Sequence, residues 1–98
     1  MIEITKMLTL STAHLAQSTV NIFNDNAACE SLFPDIIVYP KGDYGYFISI
    51  LPEAIETAKK ETDSVFYKII LMADSLGCQM ICFDRDAEPL PWLETFDW

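Results

Sequence analysis

Two aspartates stand two residues apart in the run "FDRDAEP", Asp84 and Asp86. At i and i+2 on a strand end, their carboxylates share one face. Such a pair offers oxygen ligands to Mg²⁺ or Mn²⁺, as hydrolases and nucleotidyl transferases require. A centre of that kind usually needs a third acidic or His ligand, and Arg85 points to the other face. The plainer reading is an Asp-rich turn closed by its own backbone hydrogen bonds. The metal reading is therefore a weak candidate, and no cofactor is expected.

His14 is the single His of the chain and stands close to Ser11 and Thr12. A Ser–His or Cys–His nucleophile pair needs this imidazole and an orienting carboxylate. No G-x-S-x-G elbow accompanies it, so a local hydrogen-bonding role at a chain corner is the better expectation. A third group is "KGDYGY", with Lys41 at a hairpin tip and Tyr44 and Tyr46 on the strand after it. Tyr combines a rigid apolar body with a polar tip and makes a good contact residue. Cys78 and Cys82 have no Lys, His or helix N-terminus nearby to activate them and read as core residues.

The chain of 98 residues carries 15 carboxylates against six Lys and Arg, a formal charge of −9. That balance repels nucleic acid and anionic lipid, so direct binding to either is not expected. It leaves basic protein surfaces and metal ions as partners, with simple solubility as the plainest explanation. Three Cys at a C-x3-C spacing plus one give neither a disulfide framework nor a zinc knuckle. They read as buried reduced thiols. The start "MIEITKMLTLS" alternates and lacks the basic head and continuous apolar core of a signal peptide. No apolar run approaches the ~20 residues of a membrane span, and a cytoplasmic protein is expected.

Several elements must position these groups. Alternation of Ile2, Ile4, Leu8 and Leu10 predicts a first strand. Val20 and Phe23, with Ala16 and Ala27, predict a short helix over 17–24, stopped by Asn24, Asp25 and Asn26. "DIIVYP" and "YGYFISIL" predict a hairpin around "KGD", with Gly42 supplying a positive φ. Both faces of the second of these strands are apolar or aromatic, which places it centrally. Phe66, Ile69, Ile70, Ala73 and Leu76 predict the strongest helix, capped by Thr62 or Asp63 and ended by Gly77. Residues 53–61 fit either an earlier turn of helix or a lid-like loop. "QMICFD" predicts the last strand. The order β-α-β-β-α-β gives a single α+β domain, ferredoxin-like or a related two-layer sandwich, with helices on one face of a mainly antiparallel sheet.

The end of the chain, "FDRDAEPLPWLETFDW", holds two Trp, two Pro and five carboxylates beside one Arg. Pro89 and Pro91 make it extended. Trp92, Phe96 and Trp98 are expected to pack back and pin it, with a partner surface as the alternative.

The blocks "TLSTAHL", "VYPKGDYGYFI", "LGC" followed by an apolar strand and "FDRD", and the terminal "DW" together resemble a family of short uncharacterised proteins. These are encoded on bacterial plasmids and other mobile elements. The resemblance runs in order along most of the chain. The segment "ILPEAIETAKKETDS" is longer here, and Ala87 stands where Gly follows "DRD" in the family. The resemblance implies no activity and no catalytic residue. It implies genomic company, since mobile elements carry many small proteins that act against or around host defence.

The leading expectation is a non-enzymatic protein that binds a basic protein surface. Asp84, Asp86, Glu88, Glu94 and Asp97 would occupy a cationic groove meant for phosphates, with Trp92 or Trp98 as the apolar anchor and Tyr44 and Tyr46 as further contacts. The alternatives are a metal-dependent enzyme centred on Asp84 and Asp86, and a structural homodimer paired through a sheet face or edge.

Overall fold

Four strands and four helices follow one another in the computed structural model, which describes residues 2–33, 35–51 and 53–97, apart from the Asn26 side chain. Strand β1 (Met7–Ser11) leads through a 3-10 turn (Thr12–His14) into α1 (Gln17–Phe23) and α2 (Asn26–Leu32). The hairpin of β2 (Ile36–Pro40) and β3 (Gly45–Ile50) comes next. Helices α3 (Ala54–Glu61) and α4 (Ser64–Ser75) precede β4 (Met80–Asp84).

The sheet order is β1-β4-β3-β2. β1 runs parallel to β4, while the β4–β3 and β3–β2 pairings are antiparallel. This is the expected α+β two-layer sandwich with a mainly antiparallel sheet. With β1 at an edge beside β4, the strand order is that of the related sandwich and not the ferredoxin-like one. β3 is central, as its two apolar faces require.

Alternation sorts the sheet into two faces. Leu10, Ile36, Ile48, Ile81 and Phe83 point to the helices and join one buried cluster with Val20, Phe23, Phe66, Ile69 and Ile70. Phe66 is its centre: its ring stacks on Phe33 and Phe83 and meets Phe23 edge-on, with centroids 5.8–6.5 Å apart. Burying such a ring is worth roughly 3 kcal/mol. The opposite face carries Met7, Ile37 and Tyr39, each 40–50 % exposed, so no helix layer covers it.

Local chemistry explains the helix limits. Asp63 caps α4, its Oδ1 accepting the Phe66 N–H at 2.9 Å. Its Oδ2 accepts the Thr19 hydroxyl at 2.9 Å and ties α1 to α4. At the other end, Gly77 (φ +75°) and Cys78 close a Schellman motif, the Cys78 N–H donating to the Ala73 carbonyl at 2.8 Å. No helix among the described residues is long and apolar enough to cross a membrane.

Two expectations need correction, the extent of the first strand and the burial of the cysteines. The first strand begins at Met7, and Ile2 and Ile4 are almost fully exposed. β4 supplies ladder partners only from Met80, which faces Met7. The polar cluster ends α1 as expected, at Phe23 with Asn24 as its C-cap, and Asp25 then caps a further helix, α2, through the Ala27 and Ala28 N–H groups. Of the two alternatives for residues 53–61, the helix forms, as α3. Cys82 is buried, but Cys29 and Cys78 are only half-buried; all three are free thiols.

Candidate functional site

The C-terminal ends of β1, β2 and β4 and the first residue of β3 meet at one end of the sheet. Lys41, Tyr44, Tyr46 and Asp84 arrive there. Lys41, Gly42, Asp43 and Tyr44 form the hairpin tip, closed by the Lys41 N–H to the Gly45 carbonyl at 2.9 Å and the Tyr44 N–H to the Lys41 carbonyl at 3.0 Å. Gly42 has φ +52°, the conformation its position predicts.

Asp84 is not a free metal ligand. Its Oδ2 is ion-paired with Lys41 Nζ, and its Oδ1 accepts the Asp86 N–H at 2.8 Å. The second bond makes the Asp-rich turn that is the plainer reading of "DRD". Lys41 reaches Asp84 across the uncovered sheet face, its ammonium 5.6 Å from the Phe47 ring centroid. Among the described residues, no three His, Cys, Asp or Glu side chains are gathered for a metal ion. Asp86 is exposed beyond the strand.

The hydrogen bond from Lys41 holds the Asp84 carboxyl below its ordinary range, with the Asp86 N–H adding to it. The same bond raises the Lys41 ammonium. The depressed carboxyl contributes stability above the ordinary carboxylate range, lost as pH falls through its lower native value. The raised ammonium contributes below the ordinary lysine range, lost as pH rises through its higher native value. The pair therefore acts on a plateau between the two. We expect Asp84→Asn to lower stability by a small amount at neutral pH, since the pair is partly solvated. Urea titrations of both proteins should give separated midpoints near pH 7, converging as pH falls through the lowered native range of Asp84. Midpoints equally separated in acid would assign the loss to something other than this pair.

His14 is fully buried and both ring nitrogens are used. Nδ1 lies 2.8 Å from the Glu94 carbonyl, and Nε2 accepts the Leu90 N–H at 2.9 Å. A carbonyl only accepts and an amide N–H only donates, so the ring is the neutral Nδ1–H tautomer. It has no nitrogen left to serve a nucleophile. Ser11 Oγ is likewise engaged, accepting the Ala13 N–H at 3.1 Å. The hydrogen-bonding role expected of His14 is correct, but its partners lie 76 and 80 residues away and not at the local corner.

Those partners define the tail. Leu90, Pro91, Trp92 and Leu93 form a turn, the Leu93 N–H donating to the Leu90 carbonyl at 3.2 Å. Pro91 sits at the position where its fixed φ favours a turn. The imidazole grips the residue that opens the turn and the residue just after it. Leu93 is buried, and Phe96 packs on the core with its N–H on the Ala13 carbonyl at 2.8 Å. Trp92, at the tip, is 67 % exposed. Leu93 and Phe96 thus pin the tail, while Trp92, expected to pack back, projects into solvent. Glu88, Glu94 and Asp97 are exposed beside the turn in sequence. Trp98 lies outside the described residues.

A family model described as "Family of unknown function (DUF5983) C-terminal domain" matches residues 7–98. The chain belongs to this family. The match begins at Met7, the first residue of β1. No curated protein and no solved structure matches the chain.

The sequence signalled Tyr44 and Tyr46 but not their roles. Tyr46 is half-buried, its ring 5.3 Å from Phe23 and its hydroxyl donating to Asn24 Oδ1 at 2.8 Å. Tyr44 is half-exposed beneath the Arg85 guanidinium, 4.5 Å from its ring centroid. Asn24 does not stand out by type or spacing, and Arg85 does so only as the single Arg of the chain. Cys29 lines an apolar recess beside Phe23 and Phe33. Burial, with a smaller effect of Glu30, raises its thiol above the ordinary range and keeps it protonated.

Proposed function

We propose that this DUF5983 domain is a non-enzymatic protein-binding module that docks on a basic surface of another protein through its C-terminal turn. The observation that carries this reading is Trp92, 67 % exposed at the tip of a turn held on both sides by buried His14. A large aromatic side chain displayed on an ordered turn is a pre-organised anchor, since little ordering is left to be lost on binding. The exposed carboxylates of Asp86, Glu88, Glu94 and Asp97 supply a field that attracts a cationic partner. In its sharper form the surface imitates nucleic-acid charge in a groove built for phosphates. The resemblance to proteins of plasmids and mobile elements fits a regulatory or anti-defence factor acting on a host protein in the cytoplasm. The metal-enzyme alternative has less support, because Lys41 and the Asp86 amide already use both oxygens of Asp84.

The test is affinity capture from the bacterial host at low and high salt, followed by binding measurements with the purified partner. Trp92→Ala is expected to weaken that complex by 2 kcal/mol or more, roughly thirtyfold, while leaving the unfolding midpoint unchanged. Replacing Glu88, Glu94 and Asp97 with their amides is expected to remove most of the salt dependence. A partner held equally by Trp92→Ala and by the amide variant would refute docking through this turn.

A further inference from the structure

Beside the sheet end, between the hairpin tip and the C-terminal end of α1, lies a cleft of about 420 Å³. Thr12, Val20, Asn24, Tyr44, Tyr46 and Arg85 line it, and none of them belongs to the Trp92 turn. We propose that this cleft binds a monocarboxylate carrying an apolar or aromatic body, with the carboxylate held by the Arg85 guanidinium.

Arg85 is the single guanidinium in a chain with 15 carboxylates, yet it makes no ion pair among the described residues. Its backbone is fixed by the Arg85 N–H donating to the Tyr44 carbonyl at 2.8 Å. Its guanidinium lies over the Tyr44 ring at 4.5 Å. A cation–π contact of this kind consumes no acceptor-directed hydrogen bond, so the guanidinium N–H groups remain available to a planar anion. A carboxylate matches that fork through two parallel hydrogen bonds.

The other polar groups of the cleft are complementary to an acceptor. The Tyr46 hydroxyl donates to Asn24 Oδ1, which leaves the Asn24 amide nitrogen with two hydrogens to give. The Thr12 hydroxyl has no partner among the described residues and is a further donor. Val20 and the Tyr46 ring supply an apolar wall for the body of the ligand.

Charge sets the class. Asp43 also lines the cleft, and Asp84 and Asp86 flank Arg85 in the chain. The cation of the hairpin tip, Lys41, is committed to Asp84. One uncommitted cation among these carboxylates accommodates one negative charge. A phosphate, close to doubly charged at neutral pH, meets uncompensated repulsion there.

The carboxylate has two candidate sources, a free small acid or the C-terminus of a peptide, and the experiment separates them. Benzoate, an N-acetylated tripeptide ending in phenylalanine, its C-terminally amidated form and inorganic phosphate are titrated into the ¹⁵N-labelled full chain by NMR. Benzoate or the free-acid peptide is expected to shift the Thr12, Asn24 and Arg85 signals saturably, with a Kd on the order of 1 mM. The tighter of the two names the source, and the amidated peptide should leave these signals in place. Arg85→Met should weaken binding at least about tenfold, and Arg85→Lys should not restore it, because a point charge lacks the fork. The Arg85 side chain is exposed, so spectra of both variants should keep the wild-type pattern away from the cleft. The proposal fails if neither carboxylate shifts these signals, if Arg85→Met binds as wild type does, or if phosphate binds as tightly.

Discussion

Replacing His14 with Ala is expected to destabilise the protein by about 2–4 kcal/mol and to free the tail first. The imidazole is fully buried, so its loss leaves a cavity as well as two lost hydrogen bonds. The Leu90 N–H and the Glu94 carbonyl then have no partner unless the tail lifts into water. Each unpaired buried group costs roughly 1–3 kcal/mol, and the detaching tail recovers part of that. A small domain holds about 5–15 kcal/mol in all, so the loss is a large share. Hydrogen exchange should show it locally: the Leu90, Leu93 and Phe96 amides lose protection while those of β3 and β4 change less. His14→Phe preserves most of the volume without either hydrogen bond, and should free the tail nearly as well. His14→Gln offers both an acceptor and a donor and should recover part of the protection. If His14→Ala left the Leu90 amide as protected as before, the imidazole would not be what holds the turn. Because that turn carries Trp92, the same variant should also lose the partner proposed for it, without any change in the contact residue itself.

What the sequence disclosed and what it withheld divide along the range of the interactions. The β2–β3 hairpin was legible because Pro40, Gly42 and the alternating apolar residues all act within a few positions. Helix α4 was legible because Asp63, the stripe from Phe66 to Ala73 and Gly77 are local signals that agree. Helix α3 was ambiguous because its fully buried residues are Ala54 and Ala58, with Ile55 partly buried beside them, too little to make a clear stripe. The extent of β1 is not legible, because the alternation of Ile2 and Ile4 continues where β4 offers no partner. Strand order was not legible, since the parallel pairing of β1 with β4 joins segments some 70 residues apart.

The site shows the same division. The turn at Asp84 and Asp86 followed from residue type. The role of His14 did not, because its partners are backbone atoms, which no residue type betrays. Cross-strand meetings such as Lys41 with Asp84 and Tyr44 with Arg85 depend on register, and a single sequence does not state register. The tail was half legible. Its composition indicated that it would not hang free, yet Leu93 and Phe96 pin it, while Trp92, the largest side chain described there, is turned outward.

Register also governs the second large effect, which is expected at Gly45. This residue faces Asp84 where β3 meets β4. A Cβ placed on Gly45 would lie 1.7 Å from the Phe83 carbonyl oxygen and 2.7 Å from its carbon. These are backbone atoms of a central strand, so no side chain can swing aside to make room. Its φ of +153° adds a conformation that other residues rarely adopt. Gly42 provides the internal control, with φ +52° and no atom within 4 Å of where a Cβ would stand. Gly42→Ala should cost only the conformational penalty, about 1–2 kcal/mol. Gly45→Ala should cost that and the collision, roughly 4 kcal/mol or more, in the range reserved for severe lesions. At this chain length each kcal/mol moves the midpoint by roughly 4–8 °C. Thermal melts should therefore show a modest shift for Gly42→Ala and a drop of more than about 15 °C, or failure to fold, for Gly45→Ala. Equal shifts would mean that β4 yields at Phe83 and that the close approach is not essential. The expected inequality would mean that it is, with a consequence for the site. The carbonyl of Tyr44, one residue before Gly45, holds the Arg85 N–H, and the Gly45 carbonyl closes the hairpin on Lys41. One missing methyl group thus lets the two strands approach closely enough to set both cations in place, Lys41 on Asp84 and Arg85 over Tyr44.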